Sequence, residues 1–177
     1  MLRTIVGFVW LVFWLYWFAS AAAAKESVAG GSRVRITGIG AVGTIAILVV
    51  FRSTLATHNT ALGVVGTVLF ACGLALAVWA RLHLGRNWGA PTSQRVEPEL
   101  ITSGPYRFVR HPIYSGLLLA LAGTALVDSL YALIVVAALV AYFYYCGRIE
   151  ERNLTAAFPD DYPAYRRRTK MLIPFIL

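Results

Sequence analysis

A chain of 177 residues that is 59% hydrophobic and only 14% charged is not composed like a soluble domain, in which about a quarter of residues carry charge. Its mean hydropathy of +0.68 places it in a bilayer. The net charge of +8 then reads as basic residues that flank spans and meet anionic headgroups, and no nucleic-acid partner is expected.

The first apolar run, Ile5 to Ala24, is rich in Trp and Tyr and long enough to cross a membrane, for which about 20 residues are needed. Its basic start and Ala-rich end also fit a signal peptide, but the length of the run favours a retained span. Ile36 to Phe51 is a second, slightly short run, and Ala61 to Ala80 a third. The "GIGAVG" within the second run resembles part of a dinucleotide fingerprint, but no strand precedes it and the motif is set aside. Cys72 and Cys146 lie inside apolar runs without metal-like spacing and read as small buried hydrophobes; no metal site is expected.

Residues 81 to 112 are too polar to face lipid, and Pro91, Pro98 and Pro105 break any long helix there. Gly104-Pro105 marks a turn. Pro112 suits a first helical position, so a fourth helix starts there with His111 at its N-cap. Backbone N–H groups at such a start attract anions. Arg107 and Arg110 add positive charge, and Tyr106 and Tyr114 add flat faces with polar tips. The fourth run, Ile113 to Val127, and the fifth, Leu130 to Gly147, are separated only by Asp128 and Ser129. That spacing predicts a tight helical hairpin with Asp128 as turn and N-cap. Gly116, Ala120 and Thr124 share one face of the fourth helix and allow close helix packing.

The fifth run leads directly into Glu150 and Glu151, two of only eight acidic residues. Arg148 and Glu151 are neighbours at helical spacing. Because the hairpin is antiparallel, "RHP" and "EE" fall at the same membrane face. With the N-terminus outside and five crossings, all of the 16 basic residues except Arg3 and Arg52 lie on the inner side, as the positive-inside rule favours. The expected fold is therefore all-α: a polytopic membrane helix bundle of about five transmembrane helices, with a cytoplasmic pocket built from the C-terminal half. None of the five runs holds an ionisable group at its centre, which disfavours a transporter. The ending "YRRRTKMLIPFIL" reads as a basic segment on anionic lipid followed by an apolar anchor, or more specifically as a lid over the pocket.

Four stretches carry a resemblance: "LGRNW", "LITSGPYRFVRHPIYSG", "EERNL" and "FPDDYPAYRRRTKMLIPFI". In this order they resemble the membrane methyltransferase superfamily of isoprenylcysteine carboxyl methyltransferases and phospholipid N-methyltransferases. The resemblance covers residues 84 to 176. It implies an S-adenosyl-L-methionine-dependent methyltransferase. Gly104, Tyr106, His111, Pro112, Tyr114 and Glu151 are then expected as cofactor contacts. Arg110, Glu150 and Glu151 are expected in catalysis, and Asn87, Trp88 and Arg110 on the substrate side. Residues 1–80 would form three N-terminal spans, and residues 81–177 the catalytic region with cytoplasmic loop, helical hairpin and C-terminal segment. The implied partner is a lipophilic small molecule or prenylated substrate, together with membrane lipid. The "LIPFI" ending favours carboxyl O-methylation of an isoprenylcysteine-type substrate, with a phospholipid amine or a small thiol as alternatives. An amine acceptor would need a base such as His83 or a glutamate. A membrane reductase using NADPH has a similar C-terminal arrangement, but such proteins favour Asn after "RHP" and Glu after the following glycine. Here Ile113 and Leu117 occupy those places.

Overall fold

The computed structural model describes residues 2–21, 59–88 and 98–174. Its helices are α1 (Leu2–Ala21), α2 (Thr60–Leu84), α3 (Pro112–Asp128), α4 (Ala132–Ala157) and α5 (Asp161–Arg168), with 3-10 turns at Gly85–Asn87 and Gly104–Arg107. No regular strand occurs among the described residues. Asn59 caps α2 by accepting from the Leu62 N–H, and Pro112 occupies the first turn of α3 as its fixed φ favours. Helices α1, α2 and α4 are long and apolar enough to cross a membrane. With 17 residues, α3 is about 26 Å long, short against a hydrocarbon core of about 30 Å. It is instead the most enclosed helix of the bundle. The second expected span, Ile36 to Phe51, lies outside the described residues.

Helices α2 and α3 are antiparallel, and four glycines bring their backbones together. A Cβ on Gly73 would lie 2.6 Å from the Gly116 carbonyl oxygen, and one on Gly66 would lie 2.6 Å from that of Gly123. Ala120 is fully buried in the same seam. Lipid gives helices no hydrophobic reason to pair, so this close approach supplies dispersion contact instead.

Helix α1 runs parallel to α2 and is built into the bundle. Val6, Trp10, Phe13 and Trp17 are buried, while Phe8, Leu11 and Leu15 on the other face are exposed as lipid-facing residues would be. The Trp10 indole N–H donates to Thr124 Oγ1 at 3.1 Å, a bond worth about 0.6–2 kcal/mol between membrane helices. At the far end, Arg81 donates to the Ser20 carbonyl at 2.7 Å and to that of Gly85 at 2.7 Å. One guanidinium thus answers the negative ends of α1 and α2. Ser20 and Asn59 consequently lie at opposite ends of the bundle.

Two local expectations are corrected. Asp128 does not cap α4; it ends α3, and its buried carboxylate is paired with Arg3 of α1. The turn is made by Ser129–Tyr131, with the Ala132 N–H donating to the Ser129 carbonyl at 3.0 Å. A buried carboxylate needs a cation more than a helix end needs a cap. Cys146 is buried as expected, but Cys72 is exposed on α2, where lipid is as apolar as a core.

The glycine seam sets a stability test. Gly73→Val drives methyl groups into the α3 backbone, and overpacking of this kind costs about 1–3 kcal/mol or more. Thermal unfolding in detergent should show a clearly lowered midpoint for Gly73→Val and little change for Leu82→Val on the exposed face of the same helix.

Candidate active site

The polar cluster lies at the end where α3 begins and α4 leaves the apolar bundle. Its centre is Glu151, whose side chain is only 4% exposed. Arg110 Nε donates to Glu151 Oε1 at 2.6 Å. Arg166 Nε, from α5, lies 3.3 Å from Oε2. His111 Nε2 is 3.7 Å from Oε1, close enough for charge attraction but beyond a hydrogen bond. Glu150 is more open, with 24% of its side chain exposed. It accepts from Tyr114 Oη and lies 3.3 Å from His111 Nδ1. Both carboxylates are adjacent to the first turn of α3, where the helix dipole favours negative charge.

The rings form a second layer. His111 stacks on Tyr114 with centroids 5.5 Å apart, and Tyr114 stacks on Phe143 of α4 at 4.6 Å. Burial disfavours the charged form of His111, but the carboxylates of Glu150 and Glu151 outweigh it and raise its pKa above the ordinary value. The two carboxylates thus favour the charged form of the imidazole between them.

The C-terminal segment completes the cluster. Val109 and Lys170 form an isolated parallel β-bridge. The Arg110 N–H donates to the Lys170 carbonyl at 2.8 Å, and the His111 N–H to that of Met171 at 3.1 Å. Arg110 Nη1 also donates to the carbonyls of Thr169 and Arg166. Ser115 Oγ is bonded to the Leu172 carbonyl at 2.5 Å. Tyr165 Oη donates to the Tyr106 carbonyl at 2.6 Å; burial pushes the Tyr165 pKa up to about 12, so the hydroxyl keeps its proton. Met171 and Leu172 are buried against protein rather than laid on lipid, while Arg166–Arg168 are exposed.

Arg110, His111, Tyr114, Glu150 and Glu151, all expected from sequence, thus come together, with Pro112 starting the helix that carries Tyr114. Gly104 has φ +58°, and any Cβ there would collide with the His83 ring. His83 packs edge-on against Trp79 and under that turn. Tyr106 is buried and donates to the Ala80 carbonyl at 3.4 Å. Asn87 and Trp88 sit in a neighbouring cluster. Trp88 packs edge-on against Trp17 and lies under the Arg81 guanidinium at 4.6 Å.

Some expectations fail. Arg107 is exposed and stacked on Phe108 at 4.5 Å, away from the carboxylates. Arg148 does not pair with Glu151; it donates to Tyr144 Oη at 3.1 Å, because Glu151 turns inward. His111 does stand at the N-cap of α3 as expected, with its side chain turned to the carboxylates instead of the helix N–H groups. Arg166, Thr169, Met171 and Ser115 were not singled out by sequence, since nothing in their spacing marks a bond across the chain.

Fold and site together define an integral-membrane helix bundle with an ion-paired, aromatic-lined cluster gathered at one end. Residues 61–161 match the phospholipid methyltransferase family, and the chain belongs to that family. It is 36% identical over 115 residues to a cobalt-zinc-cadmium resistance protein of Cupriavidus metallidurans, covering 64% of this chain and 48% of that one. It is 37% identical over 79 residues to methanethiol S-methyltransferase 1 of Bradyrhizobium diazoefficiens, covering 44% and 27%. Against the protein-S-isoprenylcysteine O-methyltransferase of Schizosaccharomyces pombe it is 34% identical over 79 residues, covering 44% and 34%. The chain spans about half or less of the length of these relatives.

The raised pKa of His111 gives a pH test with a definite sign. Its pairing with Glu150 and Glu151 contributes fully below the ordinary histidine value of about 6.5 and is lost as pH climbs through the raised value. The thermal midpoint in detergent should therefore fall on the alkaline side of that value, and His111→Gln should flatten the fall.

Proposed function

We propose that the chain is an S-adenosyl-L-methionine-dependent methyltransferase of the membrane, acting on a lipophilic acceptor. The observation that carries this reading is the meeting of His111, Tyr114 and Glu150 at the start of α3, beside the Arg110–Glu151 pair. The residues suit the donor chemically. Glu150, the more open carboxylate, suits its ammonium or sulfonium charge. The His111 ring, backed by Tyr114 and Phe143, offers a flat surface for adenine, and the buried His111 Nε2 has no hydrogen-bond partner among the described residues. Glu151 is saturated by Arg110 and Arg166, so we assign it to holding Arg110 and His111 in place rather than to direct donor contact. Gly104, Tyr106 and Pro112 shape the same wall.

The bound donor would supply an already activated methyl group. What remains for the chain is positioning and exclusion of water, and orientation of this kind is worth roughly 7–11 kcal/mol. Arg110 can aim an anionic acceptor, and we assign Asn87 and Trp88 to contact with its apolar part. The cationic fork of Arg110 suits an acceptor that arrives already anionic better than an amine that must first be deprotonated. We therefore put forward carboxyl O-methylation of an isoprenylcysteine-type substrate. A thiolate is the second reading, favoured by similarity to proteins named methanethiol S-methyltransferase. In this proposal residues 81–177 form the catalytic region and residues 1–80 its membrane support. The positive-inside pattern favours an outer N-terminus and a cytoplasmic site.

Calorimetry with S-adenosylhomocysteine on the detergent-purified protein should show binding, and Glu150→Gln should weaken it by roughly tenfold, about 1.4 kcal/mol. Absence of heat at millimolar ligand overturns the donor assignment. A radiolabelled-methyl assay comparing prenylcysteine analogues, methanethiol and extracted lipids identifies the acceptor, and label appearing only in lipid amines would reject the anionic-acceptor reading.

A further inference from the structure

We propose that Thr169–Leu172 is a strap that forms the outer wall of the donor pocket and must lift for donor exchange. The inference rests on the donor site proposed above. Glu151, His111 and Tyr114 are all buried, and the segment lies across the residues that carry them. It takes the backbone N–H groups of Arg110 and His111 and bonds Ser115 Oγ through the Leu172 carbonyl. Apart from Glu151, the side-chain bonds of Arg110 go to backbone carbonyls of Thr169 and Arg166. A seated strap thus holds Arg110 with its Nη1 turned to protein carbonyls, and lifting it releases that nitrogen toward a ligand.

Met171 is the plug of this strap. Its Cε is seated on Gly147 of α4, where a Cβ would lie 2.5 Å from it and 3.2 Å from His111 Nε2. The thioether therefore occupies the space beside the imidazole that a donor must approach. The segment is attached by the backbone bonds to Arg110 and His111 at the β-bridge, by the Arg110–Thr169, Thr169–Tyr165 and Ser115–Leu172 bonds, and by burial of Met171 and Leu172. On either side the chain is exposed, at Arg166–Arg168 and at Ile173. Lifting so short a segment breaks only these contacts and leaves the helix bundle standing, so it costs less than global unfolding of the fold.

The bridge itself supplies the test. Val109→Cys and Lys170→Cys, in a full-length chain with Cys72→Ala and Cys146→Ala, place two thiols across the parallel pair. The purified protein in detergent is oxidised, the cross-link is confirmed by mass spectrometry, and S-adenosylhomocysteine binding and release are followed with and without reductant. Cross-linking should slow both uptake and release by roughly tenfold or more, and reductant should restore them. Equal rates in cross-linked and reduced protein would overturn the strap as a gate. As a variant that needs no cross-link, Ser115→Ala should speed release severalfold and Ser115→Thr should restore it; unchanged release in Ser115→Ala would also count against the strap. If the reduced protein binds no S-adenosylhomocysteine at all, the donor reading falls, and this inference with it.

Discussion

A nearly fully buried carboxylate, Glu151, is the constraint around which the polar end of this protein is organised. Removing such a group from water costs several kcal/mol, recovered only with well-placed cations. The cations come from different parts of the chain: Arg110 and His111 from the approach to α3, and Arg166 from α5. Satisfying one charge therefore fixes three segments at once. It sets the end of the apolar part of α4, holds the start of α3 and draws the C-terminal segment across both.

That arrangement needs a rigid base, which the apolar bundle supplies by a different means. Gly66, Gly73, Gly116 and Gly123 let α2 and α3 touch backbone to backbone. Trp10 ties α1 to the same core through Thr124. At the opposite end from the site, Arg3 and Asp128 repeat the logic of the cluster in its simplest form, one buried carboxylate and one arginine from another helix. The two ends of the described bundle are thus both closed by ion pairs, with small-residue and apolar packing and the Trp10–Thr124 bond between them.

The paired glutamates divide their work by exposure. Glu151 is enclosed and holds other residues in place. Glu150, one position before, is turned toward Tyr114 and the Nδ1 side of His111. Adjacent helical residues point about 100° apart, so one acidic pair reaches two environments. The same geometry makes His111 a shared partner of both carboxylates and gives its protonation leverage over the whole cluster.

Much of this was legible in the chain before any coordinates. Apolar run length marked the long helices, Pro112 marked the start of α3, and the short hairpin required "RHP" and "EE" to share one face. These are local or nearest-neighbour properties, and backbone chemistry with bilayer thickness dictates them. Tertiary structure alone decided the partners. Glu151 is 41 positions from Arg110, and Thr169 is 59. Periodicity offered Arg148 to Glu151 and a helix cap to Asp128; burial overrode both, because a charge out of water takes the strongest available partner, however distant in sequence. The C-terminal segment shows the same division. Its basic and apolar composition was plain, but its pairing with Val109 to His111 depends on backbone hydrogen bonds that any side chains could make, and so left no mark in the sequence.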